Sequence, residues 1–381
     1  MADAIPVTIL SGALGAGKTT LLNHLLESVD ERIAVLVNDM GELNVDAELI
    51  AEGGSAEGVA ELSNGCICCE LRDDLETAVM RLARSREFDG LVVESSGISE
   101  PAPVARLFTT RSKAAAVYDV DTLVTVVDAA GFHDLFSGGT STDRAEVSEG
   151  GTRPLSDLLI EQVECCDVLV VNKCDLLSPT EIDEVEAVLE RLAPGARIVR
   201  TEFGAVEPGE ILHTGLFDAE AGARNALDST DGDRAGHDHR HPDEEYGVTS
   251  FTYRRRRPFD PDRFASLLSD LPAELIRAKG SFWVAGRDAR LRLGYAGQIA
   301  RVTAGEPWIA ARPAVERELY RENHPDLEWD DEWGDREQAL VFIGREFDEE
   351  ALIDRLDGCL TDDAAGDGGP FPDEGAVEFG R

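Results

Sequence analysis

The stretch Val7-Thr-Ile-Leu-Ser-Gly12-Ala-Leu-Gly-Ala-Gly-Lys18-Thr19-Thr20-Leu21-Leu22-Asn-His-Leu25-Leu26 joins a short apolar run to a helical pattern through a glycine-rich turn. Residues 7–10 have the length and content of a buried strand, and the leucines at 21, 22, 25 and 26 recur at helical spacing. The turn fits G-x-x-x-x-G-K-[ST]. Such glycines let backbone N–H groups converge on a phosphate at a helix N-terminus, where the aligned peptide dipoles also favour an anion. On this reading Gly12, Gly15, Ala16, Gly17, Lys18, Thr19 and Thr20 line a phosphate site. Lys18 reaches the β- and γ-phosphates, and the Thr19 hydroxyl ligates Mg²⁺. The bland alternative is a chance glycine-rich turn. Against it stands the scarcity of lysine, which occurs only at positions 18, 113, 173 and 279.

Working outward, residues 5–10, 33–37, 91–93, 123–127 and 168–171 are β-branched-rich apolar runs separated by helical patterns such as Leu75, Val79 and Leu82. Buried strands alternating with helices predict an α/β domain with a mostly parallel sheet covered on both faces. Glycine, serine and acidic residues at 137–153 predict a surface loop. A segment at 216–246 turns acidic and loses its hydrophobic period, which predicts a linker after a first domain at 1–215. Apolar patterning resumes at 247–360 as a smaller α+β domain. The acidic, glycine-rich residues 361–381 predict a disordered tail.

Composition narrows the partners. The 76 acidic residues outnumber 36 basic ones for a formal charge of −40. Such a surface repels phosphate backbones, which argues against nucleic acid, and it fits a halophilic cytosol where salt screens self-repulsion. The N-terminus has no basic leader and no apolar run approaches the ~18 residues of a membrane span, so a cytoplasmic location without a membrane partner is expected. Seven cysteines, an odd number, do not resemble a secreted disulfide framework. Oligomeric state is not written in the sequence.

Asn172-Lys173-Cys174-Asp175 follows the apolar run 168–171, at the carboxyl end of a strand where α/β sheets bind ligands. It matches N-K-x-D. The Asp175 carboxylate would accept hydrogen bonds from guanine N1–H and N2–H, which adenine cannot supply, and the Lys173 stem would cover the ring. Glu94, after the run 91–93, suits a position near Mg²⁺; a strand-capping carboxylate is the alternative. GTP and Mg²⁺ are therefore the expected ligands.

Gly65-Cys66-Ile67-Cys68-Cys69 places three soft ligands within four residues. Zinc prefers thiolates in tetrahedral geometry, and C-x-C-C supplies two or three of them. The remaining ligand must come from elsewhere, and Asn38-Asp39-Met40-Gly41-Glu42, after the second strand, is the best region, with Glu42 a further ligand. Buried cysteines that fill space are the alternative. His237, His239 and His241 alternate in the acidic segment and suit weak accessory metal binding or ordinary linker composition.

Together these motifs resemble the CobW-type P-loop GTPases, in particular the branch regarded as zinc metallochaperones. Residues 12–20 look like its G-x-x-G-A-G-K-T-T, residues 38–42 resemble N-E-F-G-E, and Leu62-Ser-Asn-Gly-Cys-Ile-Cys-Cys is close to L-x-N-G-C-I-C-C. Residues 245–254, 276–280 and 334–344 resemble the family's C-terminal domain. Asp39 stands where Glu is usual, Met40 where Phe is usual, and Val37 where some relatives carry a metal-site Glu. The resemblance implies a P-loop GTPase domain plus a C-terminal α+β domain, with Lys18, Thr19, Glu94 and Asp39 serving hydrolysis. It also implies a cycle in which Zn²⁺ binds the cysteines and GTP hydrolysis passes it to a metal-requiring client protein. Two other readings stay open: the same GTPase delivering cobalt for cobalamin synthesis, or a nucleotide-gated adaptor with structural zinc.

Overall fold

Seven strands of the first unit, Met1–Asn225, lie side by side in one sheet. The computed structural model describes residues 4–37, 59–61, 69–85, 88–97, 101–109, 112–136, 144–147, 151–218, 248–325 and 327–380. In chain order the strands of this unit are β1 (Ile5–Gly12), β2 (Ile33–Val37), β3 (Val59–Glu61), β4 (Gly90–Glu94), β5 (Tyr118–Asp128), β6 (Arg144–Val147), β7 (Gly151–Pro154), β8 (Val168–Asn172) and β9 (Arg197–Arg200). The sheet runs β3-β2-β4-β1-β5-β8-β9 with every pairing parallel.

Side chains alternate faces along a strand, so a sheet covered on both sides needs apolar residues at nearly every position. The two faces hold separate cores. Val7, Ile9, Leu91 and Val93 pack with Leu75 and Val79 of the helix Cys69–Ser85 and with Leu107 and Phe108 of the helix Pro101–Thr109. Leu10, Val92, Val124 and Val126 pack on the opposite face with Leu21, Leu22 and Leu25 of helix α1 (Lys18–Ser28). The sheet expected from the sequence is thus present, and it is parallel throughout. Residues 144–147 and 151–154 form an antiparallel hairpin, where composition predicted a loop. A ladder uses backbone N–H and C=O groups that most residue types supply, so polar composition did not exclude it.

The second unit, Ala226–Arg381, has strands β10 (Val248–Arg255), β11 (Leu275–Phe282), β12 (Ala289–Ala296), β13 (Ile299–Pro307), β14 (Gln338–Arg345) and β15 (Ala376–Gly380). They form an antiparallel sheet in the order β10-β14-β11-β12-β13-β15. Helices Pro261–Leu268 and Glu349–Asp357 contribute Phe264, Leu267, Leu268, Leu352 and Leu356 to its core.

The expected disordered tail is corrected here. Strand β15 pairs with β13 from Ile299↔Gly380 to Thr303↔Ala376, and Phe371, 1% exposed, packs against Phe264 and Phe282. The glycine-rich composition masked a turn: Gly368, Gly369 and Gly375 adopt positive φ, the left-handed region glycine reaches at little cost. They deliver Phe371, Val377 and Phe379 to apolar surface. Most of the acidic segment at 216–246, including His237, His239 and His241, lies outside the described residues. Among the described residues no helix is long and apolar enough to cross a membrane.

Candidate functional site

Because the pairings are all parallel, β1, β2, β4, β5, β8 and β9 end at one edge of the sheet, where Gly12, Val37, Glu94, Asp128, Asn172 and Arg200 terminate them. That edge is where open α/β sheets place ligands. Val37, the last residue of β2, is in register with Glu94; Asn38, Asp39 and Glu42, which come next in the sequence, lie outside the described residues.

The turn after β1 is built around its glycines. Gly12 has φ +140°, and a Cβ there would overlap the Val126 carbonyl oxygen of β5. Gly17 caps α1 at φ +105°, and a Cβ there would overlap the Asn172 amide nitrogen. Gly15, at φ +76°, meets nothing within 4 Å. The loop is therefore held at both ends and open in the middle. Lys18 folds back across it, its Nζ donating to the carbonyls of Gly12 (2.9 Å) and Ala13 (3.2 Å). Ala16 is buried, Thr19 half-buried, Thr20 exposed, and Leu14 at the tip is 85% exposed.

Residues after β4 brace the loop from one side. The Ser95 N–H donates to the Leu10 carbonyl (2.9 Å). A Cβ on Gly97 would come 2.6 Å from the Leu14 nitrogen. Glu94 itself is buried at the end of β4.

Asn172 braces the loop from the other side. Only 2% exposed, its Nδ2 donates to the Ala16 carbonyl (2.9 Å) while its Oδ1 accepts from the Gly204 N–H (3.0 Å). One amide thus ties the phosphate loop to the turn after β9. Lys173 takes a left-handed backbone at φ +63°, and its Nζ bonds Asp128 Oδ2 at 2.6 Å. Asp128 also accepts from the Gly131 N–H (3.1 Å), so the lysine stem is anchored by a carboxylate that is itself fixed. Cys174 is packing: burial pushes its thiol up, and its Sγ donates to the Val171 carbonyl (3.2 Å). Asp175 is exposed beside it.

The structure therefore brings Gly12, Gly15, Ala16, Gly17, Lys18, Thr19, Thr20, Glu94, Asn172, Lys173 and Asp175 to one edge. Two participants escaped the sequence reading. Asp128 carried a weak signal, a carboxylate ending an apolar strand. The Thr201–Gly204 turn carried none, since it joins the site through backbone: the Cys174 N–H donates to the Thr201 carbonyl (3.3 Å) and the Thr201 N–H to the Val171 carbonyl (2.8 Å). Cys66 and Cys68 lie outside the described residues, and Cys69 opens the helix Cys69–Ser85.

Comparison with known proteins identifies the family. The family described as CobW/HypB/UreG, nucleotide-binding domain, matches residues 6–200, and the cobalamin synthesis protein cobW C-terminal domain matches residues 248–360. The zinc-regulated GTPase metalloprotein activator 1 of Dictyostelium discoideum is 36% identical over 95% of this chain and 81% of its own length. The zinc chaperone CobW of Pseudomonas aeruginosa is 32% identical over 94% of this chain and 92% of its own. The zinc chaperone YjiA of Escherichia coli is 28% identical over 92% and 97%. With its first unit matched as a nucleotide-binding domain and its second as the C-terminal partner of that domain, the chain belongs to the CobW/HypB/UreG family of P-loop GTPases.

Proposed function

We propose that this protein binds and hydrolyses GTP and couples the cycle to transfer of Zn²⁺ from a site at Cys66, Cys68 and Cys69 to a client protein. The observation that carries the nucleotide half is the double hydrogen bond by which Asn172, the first residue of N-K-x-D, holds the phosphate loop at Ala16 and the turn after β9 at Gly204. The cargo half rests on the thiol cluster, and relatives named zinc chaperones support it.

Phosphate oxygens would enter the open centre of the loop around Gly15, where backbone N–H groups converge. Lys18 would exchange the Gly12 and Ala13 carbonyls for the β- and γ-phosphates, whose full negative charge binds its ammonium more strongly than a carbonyl dipole does. Mg²⁺ suits the hard oxygen donors present, the Thr19 hydroxyl and the Glu94 carboxylate, and would neutralise charge on the phosphates. Water adds to the γ-phosphorus as the bond to the β–γ bridging oxygen breaks, and the charge left on the β-phosphate falls within reach of Lys18. Asp175 would accept from guanine N1–H and N2–H while the Lys173 stem, anchored on Asp128, covers the ring. Asp39, which follows β2 in the sequence, would sense the γ-phosphate.

The cysteines precede or open the helix Cys69–Ser85. A helix N-terminus lowers thiol pKa and favours the metal-ready thiolate. Glu42 would add a ligand from the segment after β2, which on this reading would respond to the γ-phosphate. Coupling of this kind is reciprocal. The test is competitive Zn²⁺ titration with a GTP analogue and with GDP, repeated on Cys68→Ser. The expected result is one tight Zn²⁺ per chain, about five- to hundredfold different in affinity between nucleotide states, and lost in the variant. Identical Zn²⁺ affinity in both states, with GTP turnover indifferent to metal and mutation, would leave only a GTPase.

A further inference from the structure

Phe203 stands apart from every other aromatic side chain in the first unit. It is 68% exposed, and its backbone sits at φ +54°, a region that bulky residues rarely occupy and hold only at a cost in strain. No ring contact involves it among the described residues; Phe88, Phe108, Tyr118, Phe132 and Phe136 have aromatic partners, and Phe217 is partly buried against the core. Its neighbours are fixed. Thr201 is buried and its Oγ1 donates to the Ala205 carbonyl (2.9 Å). The Gly204 N–H holds Asn172, and a Cβ on Gly204 would come 2.8 Å from the Leu21 nitrogen in the first turn of α1. The turn is thus wedged between the helix that follows the phosphate loop and the turn that carries Lys173 and Asp175. A strained backbone over-determined by its surroundings, holding a large apolar ring in solvent, is a ligand clamp in form.

We propose that Phe203 is a nucleobase-stacking residue, closing with its ring the side of the base site opposite the Lys173 stem. The chemistry it accepts is the π-face of a purine. Stacking of one base on one aromatic ring is sequence-tolerant, because every base presents a π-face. Phe203 therefore supplies affinity, and Asp175 supplies the choice of guanine. The proposal rests on the nucleotide site described above and deepens it.

The experiment uses the full chain in multimolar KCl with GDP, GTP and inorganic tripolyphosphate as ligands. Phe203→Ala should weaken GDP and GTP alike, by about five- to hundredfold, leave tripolyphosphate affinity unchanged, and leave the nucleotide-free melting temperature unchanged because the side chain is exposed. Phe203→Trp should keep tight binding. The four native tryptophans, Trp283, Trp308, Trp329 and Trp333, all belong to the second unit, so the introduced indole is the lone one in the first. Its emission should be quenched by GDP and ignore tripolyphosphate. Wild-type GDP affinity in Phe203→Ala, or an indole that ignores GDP while calorimetry shows it bound, overturns the proposal. Equal wild-type affinity for ATP and GTP would instead overturn the Asp175 assignment, and the loss in Phe203→Ala is then read with ATP, since a stack accepts adenine equally.

Discussion

The two units bury their sheets with different residues, and the difference shows where each can carry chemistry. The first fills both faces of a parallel sheet mainly with Val, Ile and Leu, and the buried polar residues within its central strands β1 and β5 are the small hydroxyls of Thr8, Ser11, Thr122 and Thr125. Its candidate functional groups stand at strand ends, where Gly12, Glu94, Asp128 and Asn172 terminate β1, β4, β5 and β8 at one edge. The second builds its antiparallel core from stacked aromatics. Phe259 and Phe264 lie 4.0 Å apart between centroids at 9°, and Phe282 and Phe371 meet Phe264 at 5.0 and 6.0 Å. Antiparallel strands alternate their ends, so no edge collects all the carboxyl termini, and the aromatics act as packing. A parallel sheet concentrates function at one edge; the antiparallel one distributes stability through its middle.

If that contrast is right, a change at the first unit's edge should remove activity without cost in stability. Lys18→Ala should lower kcat for GTP hydrolysis by about a thousandfold or more, because the charge facing the γ-phosphate is gone. The melting temperature should stay within a few degrees of wild type. A variant with unchanged kcat would remove Lys18 from the phosphate site. The converse change belongs in the second unit. Phe264→Ala empties the centre of the aromatic stack and should cost about 3–5 kcal/mol. Tryptophan fluorescence reports it selectively, since all four tryptophans lie there. GTP affinity should be unaltered in buffer; a parallel fall in GTP affinity would show that the two cores are not energetically separate.

How much of this was legible in the sequence follows from how far apart the interacting atoms lie along the chain. The phosphate loop declares itself because its glycines, Lys18 and Thr19 are consecutive, and each is required by local backbone geometry. The N-K-x-D turn at 172–175 is equally compact. What holds the two together is not: the Asn172 bond to Ala16 spans 156 residues, and the Lys173 bond to Asp128 spans 45. Asn172 was legible as part of a motif, but its bracing role was invisible because its partners are backbone groups. Thr201–Gly204 was missed for the same reason. The tail failed differently, since composition was read as solvation while Phe371, Val377 and Phe379 had a core to join.

The smallest expected effect contrasts the two ends of one strand. At the carboxyl end of β8, Asn172 is neutral and hydrogen-bonded through both its amide nitrogen and its oxygen; just before the amino end, Asp167 is a carboxyl half-buried among like charges. Its Oδ2 accepts from the Leu123 N–H (2.7 Å). Burial pushes its carboxyl up to about 6, and the carboxylates of Asp121 and Asp218 add to that, against the Leu123 bond, which lowers it. The unfolded chain titrates near the ordinary value of 3.8, so between about pH 4 and 6 the folded state holds a proton that the unfolded state has lost. The carboxyl's stabilising contribution is then full below about pH 4 and lost as pH rises through about 6. At neutral pH the ionised group opposes folding. Asp167→Asn keeps an acceptor for Leu123 and removes the charge. It should stabilise the protein at pH 7 by on the order of 1–2 kcal/mol, reduced from the full shift because water reaches the group. That advantage should shrink to nothing near pH 4. Denaturant midpoints of both proteins across pH 4–7 in high salt decide the matter: converging curves support the assignment, and parallel ones place the carboxylate in contact with water at every pH.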